Sequence, residues 1–124
     1  NVGDRIAAYG SALGKALLAA LPEDEARALL QRRPMKKLTE HTIVDVDRFM
    51  AELATVRKRG WASVESEGNE GVSSLAVAGR IGEEILAFAV TGPSVRIESQ
   101  RAPYVQALQA LKAEVFDAAG SRAA

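Results

Sequence analysis

The spacing of apolar positions changes twice along the chain. In Ser11-Ala12-Leu13-Gly14-Lys15-Ala16-Leu17-Leu18-Ala19-Ala20-Leu21 they fall almost all round a helical wheel. This predicts a helix buried on several sides, with Ser11 as N-cap and small residues that admit a close backbone neighbour. The stretch before it, Asn1 to Gly10, has turn or strand character. Pro22 opens a second helix, with Glu23, Asp24 and Glu25 in its first turn, Arg32 and Arg33 in its last, and Pro34 as its stop. That charge order complements the helix dipole on a solvated face. After a connector from Met35 to Val46, Asp45 or Asp47 caps a third helix running to about Arg59. Phe49, Leu53 and Val56 form its apolar stripe, Arg57, Lys58 and Arg59 its basic last turn, and Gly60 its C′ residue.

After Gly60 the period becomes two. Trp61, Ser63, Glu65 and Glu67 alternate with Ala62, Val64 and Ser66, which predicts a strand from Trp61 to Glu67. Gly68, Asn69 and Gly71 make a turn. Val72 to Ala78 is a second strand, with Val72, Ser74 and Ala76 opposite Ser73, Leu75 and Val77. Gly79-Arg80-Ile81-Gly82 is a tight connection to an antiparallel third strand from about Glu84 to Thr91. There Leu86, Phe88 and Val90 share one face, and Ile85, Ala87, Ala89 and Thr91 the other; Gly92-Pro93 ends it. The helical period then returns from about Gln100 or Ala102 to Ala119, with Pro103 in the first turn, Gly120 at the end, and Leu108, Leu111, Val115 and Ala119 buried. The order helix, helix, helix, strand, strand, strand, helix predicts an α+β fold: an antiparallel meander of at least three strands, flanked by helices, with an open sheet edge.

Composition narrows the function classes. The 124 residues, 48% hydrophobic, suit one domain with a real core. Sixteen Lys plus Arg balance 16 Asp plus Glu, whereas nucleic-acid domains usually carry a basic surplus. The absence of Cys removes disulfides, zinc thiolates and Cys nucleophiles. No apolar run approaches a membrane span, and no signal-peptide pattern opens the chain, so a cytoplasmic ligand-handling or interaction domain is expected.

Candidate chemistry is sparse. Gly10-Ser11-Ala12-Leu13-Gly14-Lys15 is not a phosphate loop, because three residues rather than four separate its glycines and Ala16 replaces the Ser or Thr that would hold magnesium. Its helix N-terminus could still receive a ligand carboxylate. His41 is the only His and has no second His or Cys with which to build a metal site, so it reads as an exposed loop residue. Glu65 and Glu67, two apart on one strand face, are the only carboxylate pair suited to acid–base work; solvated strand charges are the commoner explanation. Ser74 with Ala76, and Ala87 with Ala89 and Thr91, line sheet faces with small side chains. Either a close-packed helix or a ligand fills the space they leave.

Five stretches, in order, resemble the C-terminal effector-binding domain of the IclR family of bacterial transcriptional regulators. They are Ser11-Ala12-Leu13-Gly14-Lys15-Ala16-Leu17-Leu18-Ala19, Thr39-x-x-Thr42-Ile43, Arg57-x-Arg59-Gly60-Trp61, Glu67-x-x-x-Gly71-Val72 and Thr91-Gly92-Pro93-x-x-Arg96. Together they span nearly the whole chain. The resemblance implies a GAF-like fold that senses a small organic acid, needs no cofactor or metal, and works as a homodimer or homotetramer. DNA contact is implied only through a winged helix-turn-helix outside these residues, as are the early strands of the domain. The effector contacts implied by motif position are Ala12, Leu13, Val64, Val72, Ser74, Ala89 and Thr91. A family pattern has an acid where Val64 stands and a hydroxyl where Ala89 stands. Both departures imply a more apolar pocket and a larger, aromatic or aliphatic acid. Two other classes stand beside the sensor: an oligomerisation module without a ligand, and a small enzyme using Glu65 and Glu67. The cysteine chemistry of a GAF-like sulfoxide reductase is closed to a chain without Cys.

Overall fold

The computed structural model describes residues 11–32, 34–67 and 70–123. The expectations for Asn1 to Gly10, Arg33, Gly68 and Asn69 lie outside the described residues.

Three helices lead. Helix α1 (Ala12–Ala19) opens on Ser11, whose Oγ accepts the Gly14 N–H at 3.0 Å, and is buried on most of its circumference. Helix α2 (Glu23–Gln31) carries Glu23, Asp24 and Glu25 in its first turn; Pro22 sits at its N-cap, one position earlier than expected. Helix α3 (Val46–Arg59) is capped by Asp45, whose carboxylate accepts the Asp47 N–H, and buries Phe49, Met50, Leu53 and Val56. It ends on Gly60 at φ 91°, the left-handed conformation that favours glycine.

The sheet has the order β1 (Ala62–Glu65), β2 (Val72–Ile81), β3 (Glu84–Pro93), antiparallel throughout. Val64, Ser74 and Thr91 stand in register across it, as do Ala62, Ala76 and Ala89. β2 runs through the expected connection, and the hairpin turns at Gly82-Glu83 instead, with Gly82 at φ 62°. Gly79 therefore lies inside a strand, and its missing side chain has a packing reason. A Cβ there would fall 2.6 Å from the Phe116 ring.

Two helices close the chain. A short α4 (Ser94–Ser99) follows Pro93 and was not expected, since six residues are too few to display a helical period. Helix α5 (Arg101–Ala123) continues through Gly120, a residue disfavoured but not forbidden inside a helix. Of its expected stripe, Leu108 is buried, Val115 half-buried and Leu111 exposed.

The α+β architecture is thus three-layered, with one short helix more than the sequence order implied. Ala62, Val64 and Ala76 pack with α1, α2 and α3 in one core. Leu75, Val77, Phe88 and Val90 pack with Ile97 of α4 and with Tyr104, Val105 and Leu108 of α5 in the other. Among the described residues β1 and β3 pair on one side only.

Candidate functional site

Alternation along β2 sets the site. Ser74 points to the α1 side, and its Oγ accepts the Ala12 N–H at 3.2 Å, in a bond 62 positions long. Small side chains make this possible, since Ala62, Ala76 and Ser74 let the first turn of α1 lie almost on the strands. Val64 and Thr91 flank Ser74 across the sheet. Val72 is two residues along on the same strand face, and Ala89 is two residues from Thr91.

The residues expected to touch an effector therefore converge, but unequally. Ala12 (0% exposed), Val64 (3%) and Ser74 (7%) form the floor. Leu13, Val72, Ala89 and Thr91 are exposed around it. Two N–H groups of the first helical turn are already engaged, Gly14 by Ser11 and Ala12 by Ser74. A hydroxyl has one donor and two acceptor positions, so Ser74 keeps its own O–H to offer an anion after accepting from Ala12. The surface is mostly apolar with hydroxyls at its centre and rim. It differs from the broad open depression beside α4, lined by Pro93, Val95, Arg96, Ser99, Gln100 and Tyr104, which includes none of the expected effector residues.

Beneath this floor lies a residue that the sequence reading weighed only as the lysine of a phosphate loop and as part of the family motif. Lys15 is fully buried, and its Nζ donates to Glu52 Oε2 at 2.9 Å, the Ser63 carbonyl at 3.1 Å and Glu67 Oε2 at 3.1 Å. The Phe49 ring centroid is 5.9 Å away, within cation–π range. The available signal was a lone charge inside an otherwise apolar helical wheel.

The threonine connector closes onto the same place. Thr42 Oγ1 accepts the N–H groups of Leu38 and Thr39 and donates to the Glu67 carbonyl. Thr39 Oγ1 donates to the Ser66 carbonyl and accepts the His41 N–H. Three of the recognised stretches, those containing Lys15, Thr39 with Thr42, and Glu67, thus meet at one point. Arg57 of a fourth donates to the Ala19 and Leu21 carbonyls, satisfying the C-terminal end of α1.

The structure corrects the Glu65/Glu67 pair. β1 ends at Glu65, and Ser66 takes φ 59°, which breaks the alternation. Glu67 turns to Lys15 on the α1 side, while Glu65 pairs with Arg101 of α5 on the other. The two carboxylates serve opposite faces and share no site. Around Glu65, the Arg59 guanidinium stacks 3.7 Å from the Trp61 ring centroid and donates to the Trp61 carbonyl and Ser63 Oγ. Burial pushes Arg59 below its ordinary value, with Glu52 opposing and Arg101 reinforcing. Burial would also lower Arg101, but hydrogen bonds and charge from Glu98 and Glu65 outweigh it and raise that guanidinium. His41 is exposed, as expected, and lies 3.5 Å from Glu70. Among the described residues no cluster of three His, Cys, Asp or Glu could hold a metal, and no helix is long and apolar enough to cross a membrane.

Comparison with known proteins bears on the family and the fold. The regulator KdgR of Escherichia coli K12 is 31% identical over 103 residues, which is 82% of this chain and 39% of that protein. The solved C-terminal domain of E. coli KdgR, 31% identical, superposes with a TM-score of 0.74 over 83% of this chain and 65% of that one. The inducer-binding domain of PobR from Acinetobacter, solved as a double mutant with 3-hydroxybenzoic acid, shares the fold. Its TM-score is 0.79 at 24% identity, over 87% of this chain and 64% of that one. The chain spans about two fifths of the KdgR regulator's length. The family model for the bacterial transcriptional regulator IclR C-terminal domain matches residues 1–117, and the chain belongs to that family.

Proposed function

We propose that this chain is the sensing part of an IclR-type regulator, taking a small organic acid at the face formed by α1, β2 and β3. The observation that carries the reading is the contact of the Ala12 N–H with Ser74 Oγ, because it gathers the helix N-terminus and two hydroxyl-bearing strands around one floor. Ser74 and Thr91 supply the hydroxyls, Ala12 and Leu13 the positive end of α1, and Val64, Val72 and Ala89 the apolar lining. With Val64 and Ala89 in place of an acid and a hydroxyl, the surface favours a partly apolar carboxylic acid over a two-carbon one. The face is non-catalytic, since its residues offer hydroxyls and helix N–H groups but no general base. In the full protein, a cytoplasmic homodimer or homotetramer, the effector shifts an equilibrium that a separate winged-helix module reads out on DNA.

The experiment is a calorimetric and thermal-shift panel on the 124-residue chain with acetate, glyoxylate, benzoate, 3-hydroxybenzoate and octanoate. Saturation at about a hundred times Kd corresponds to roughly 2.7 kcal/mol of stabilisation, easily seen in the midpoint. Binding of the aromatic or longer aliphatic acids supports the proposal. Tight binding of glyoxylate alone sinks the ligand class, and self-association without response to any acid favours the oligomerisation module.

A further inference from the structure

Lys15 is costly where it stands. Removing an ammonium from water costs several kcal/mol, and a methionine or leucine of similar volume would fill the same space without that cost. Its donors are nevertheless fully matched. Three N–H groups meet Glu52, the Ser63 carbonyl and Glu67. The second Glu67 oxygen, Oε1, lies 2.9 Å from Nζ yet makes no directed hydrogen bond, as expected once all three donors are taken. The partners belong to three different pieces of chain: α3, β1, and the turn after β1 that Thr39 and Thr42 also grip. Hydrophobic contacts let a helix slide; three directed bonds to three separate segments do not. Lys15 is also a single helical turn from Ala12, whose N–H sits on Ser74.

We infer that Lys15 is the positioning residue of the effector site. Its buried ammonium fixes the rotation and depth of α1, so the Ala12 N–H is held against Ser74 without Lys15 touching the ligand. The ligand half of this inference rests on the sensing function proposed above; the placement of α1 does not.

Two variants of the 124-residue chain test it. Lys15→Met/Glu52→Gln/Glu67→Gln removes the charge together with both carboxylates that would be stranded, and Glu67→Gln alone removes one partner while Lys15 keeps Glu52. The readouts are amide hydrogen exchange by NMR, the thermal midpoint, and calorimetric affinity for 3-hydroxybenzoate. In the triple variant the Ala12 amide should exchange about tenfold faster and the acid should bind about tenfold more weakly, with a smaller change at the Val77 amide of β2, which reports global opening. Glu67→Gln should move the Ala12 amide in the same direction by about threefold, which decides the matter if the triple variant does not fold. Either folded variant with Ala12 exchanging no faster than its Val77 amide accounts for overturns the inference, even where the midpoint falls. If the parent binds no acid but the Ala12 amide still responds, the sensing function fails and the positioning of α1 by Lys15 stands.

Discussion

The two faces of one sheet solve different problems. Toward α1, strands β1 to β3 present Ala62, Val64, Ser74, Ala76, Ala87, Ala89 and Thr91; toward α4 and α5 they present Leu75, Val77, Phe88 and Val90. Both sets come from the same strands by alternation alone. On the large-residue face, side chains meet side chains, as Leu75 and Val77 meet Ile97 and Leu108. On the small-residue face a helix backbone reaches the sheet directly, at the Ala12 N–H and Ser74 Oγ. The first arrangement is chiefly a side-chain core, with Ser73 hydrogen-bonded to Ser94 at its edge. The second brings polar backbone groups and hydroxyls to a common floor, which is why the proposed effector site lies on the face with the smaller side chains. Its charges differ in kind as well. Lys15 is buried among carboxylates, whereas Arg101 with Glu65 and Glu98 lies where water competes.

If both faces contribute comparably to stability, truncations on each should cost similar amounts. Phe49→Ala under α1 is expected to lose about 3–5 kcal/mol, and Leu75→Ala on the other face about 2–5 kcal/mol, in urea unfolding. A loss below about 1 kcal/mol for either would show that one layer is dispensable and break the symmetry. Ser74→Ala sharpens the contrast, because it removes the hydroxyl that accepts the Ala12 N–H and so joins α1 to the sheet. About 1 kcal/mol of stability should go, together with most of the acid affinity; unchanged affinity would move the ligand elsewhere. The smallest effect belongs to the exposed pair. Glu65→Gln should cost no more than about 0.5 kcal/mol, and less still as salt is raised, when measured by thermal unfolding in low and high sodium chloride.

Much of this was legible from residue order. Ser11, Asp45 and Gly60 cap helices because a short hydroxyl, a short carboxylate and a residue free to take positive φ each satisfy orphan backbone groups in a way sequence displays. Alternation put Val72 with Ser74 on one face of β2 and Ala89 with Thr91 on one face of β3, and the strand register sets both pairs on the same side. What escaped was set by single residues acting against type. Ser66 adopts a positive φ that glycine usually signals, so Glu67 was placed beside Glu65 when it faces away. Gly79 looked like a turn because its partner, the Phe116 ring, is 37 positions away and invisible locally. Lys15 entered only a rejected phosphate-loop reading and the family motif, since nothing near it in sequence announces Glu52, Ser63 or Glu67.

Those same distances order events in time. The partners of the Lys15 ammonium stand 37, 48 and 52 residues downstream of it. Contacts of that span close only after much of the chain between has ordered, since each demands loop closure in advance. Until α3 and the turn after β1 arrive together, the charge is better off hydrated and resists burial of α1 in any partial or misregistered collapse. Lys15 is therefore expected to dock late in folding, closing the small-residue face only over a chain that has already found its register.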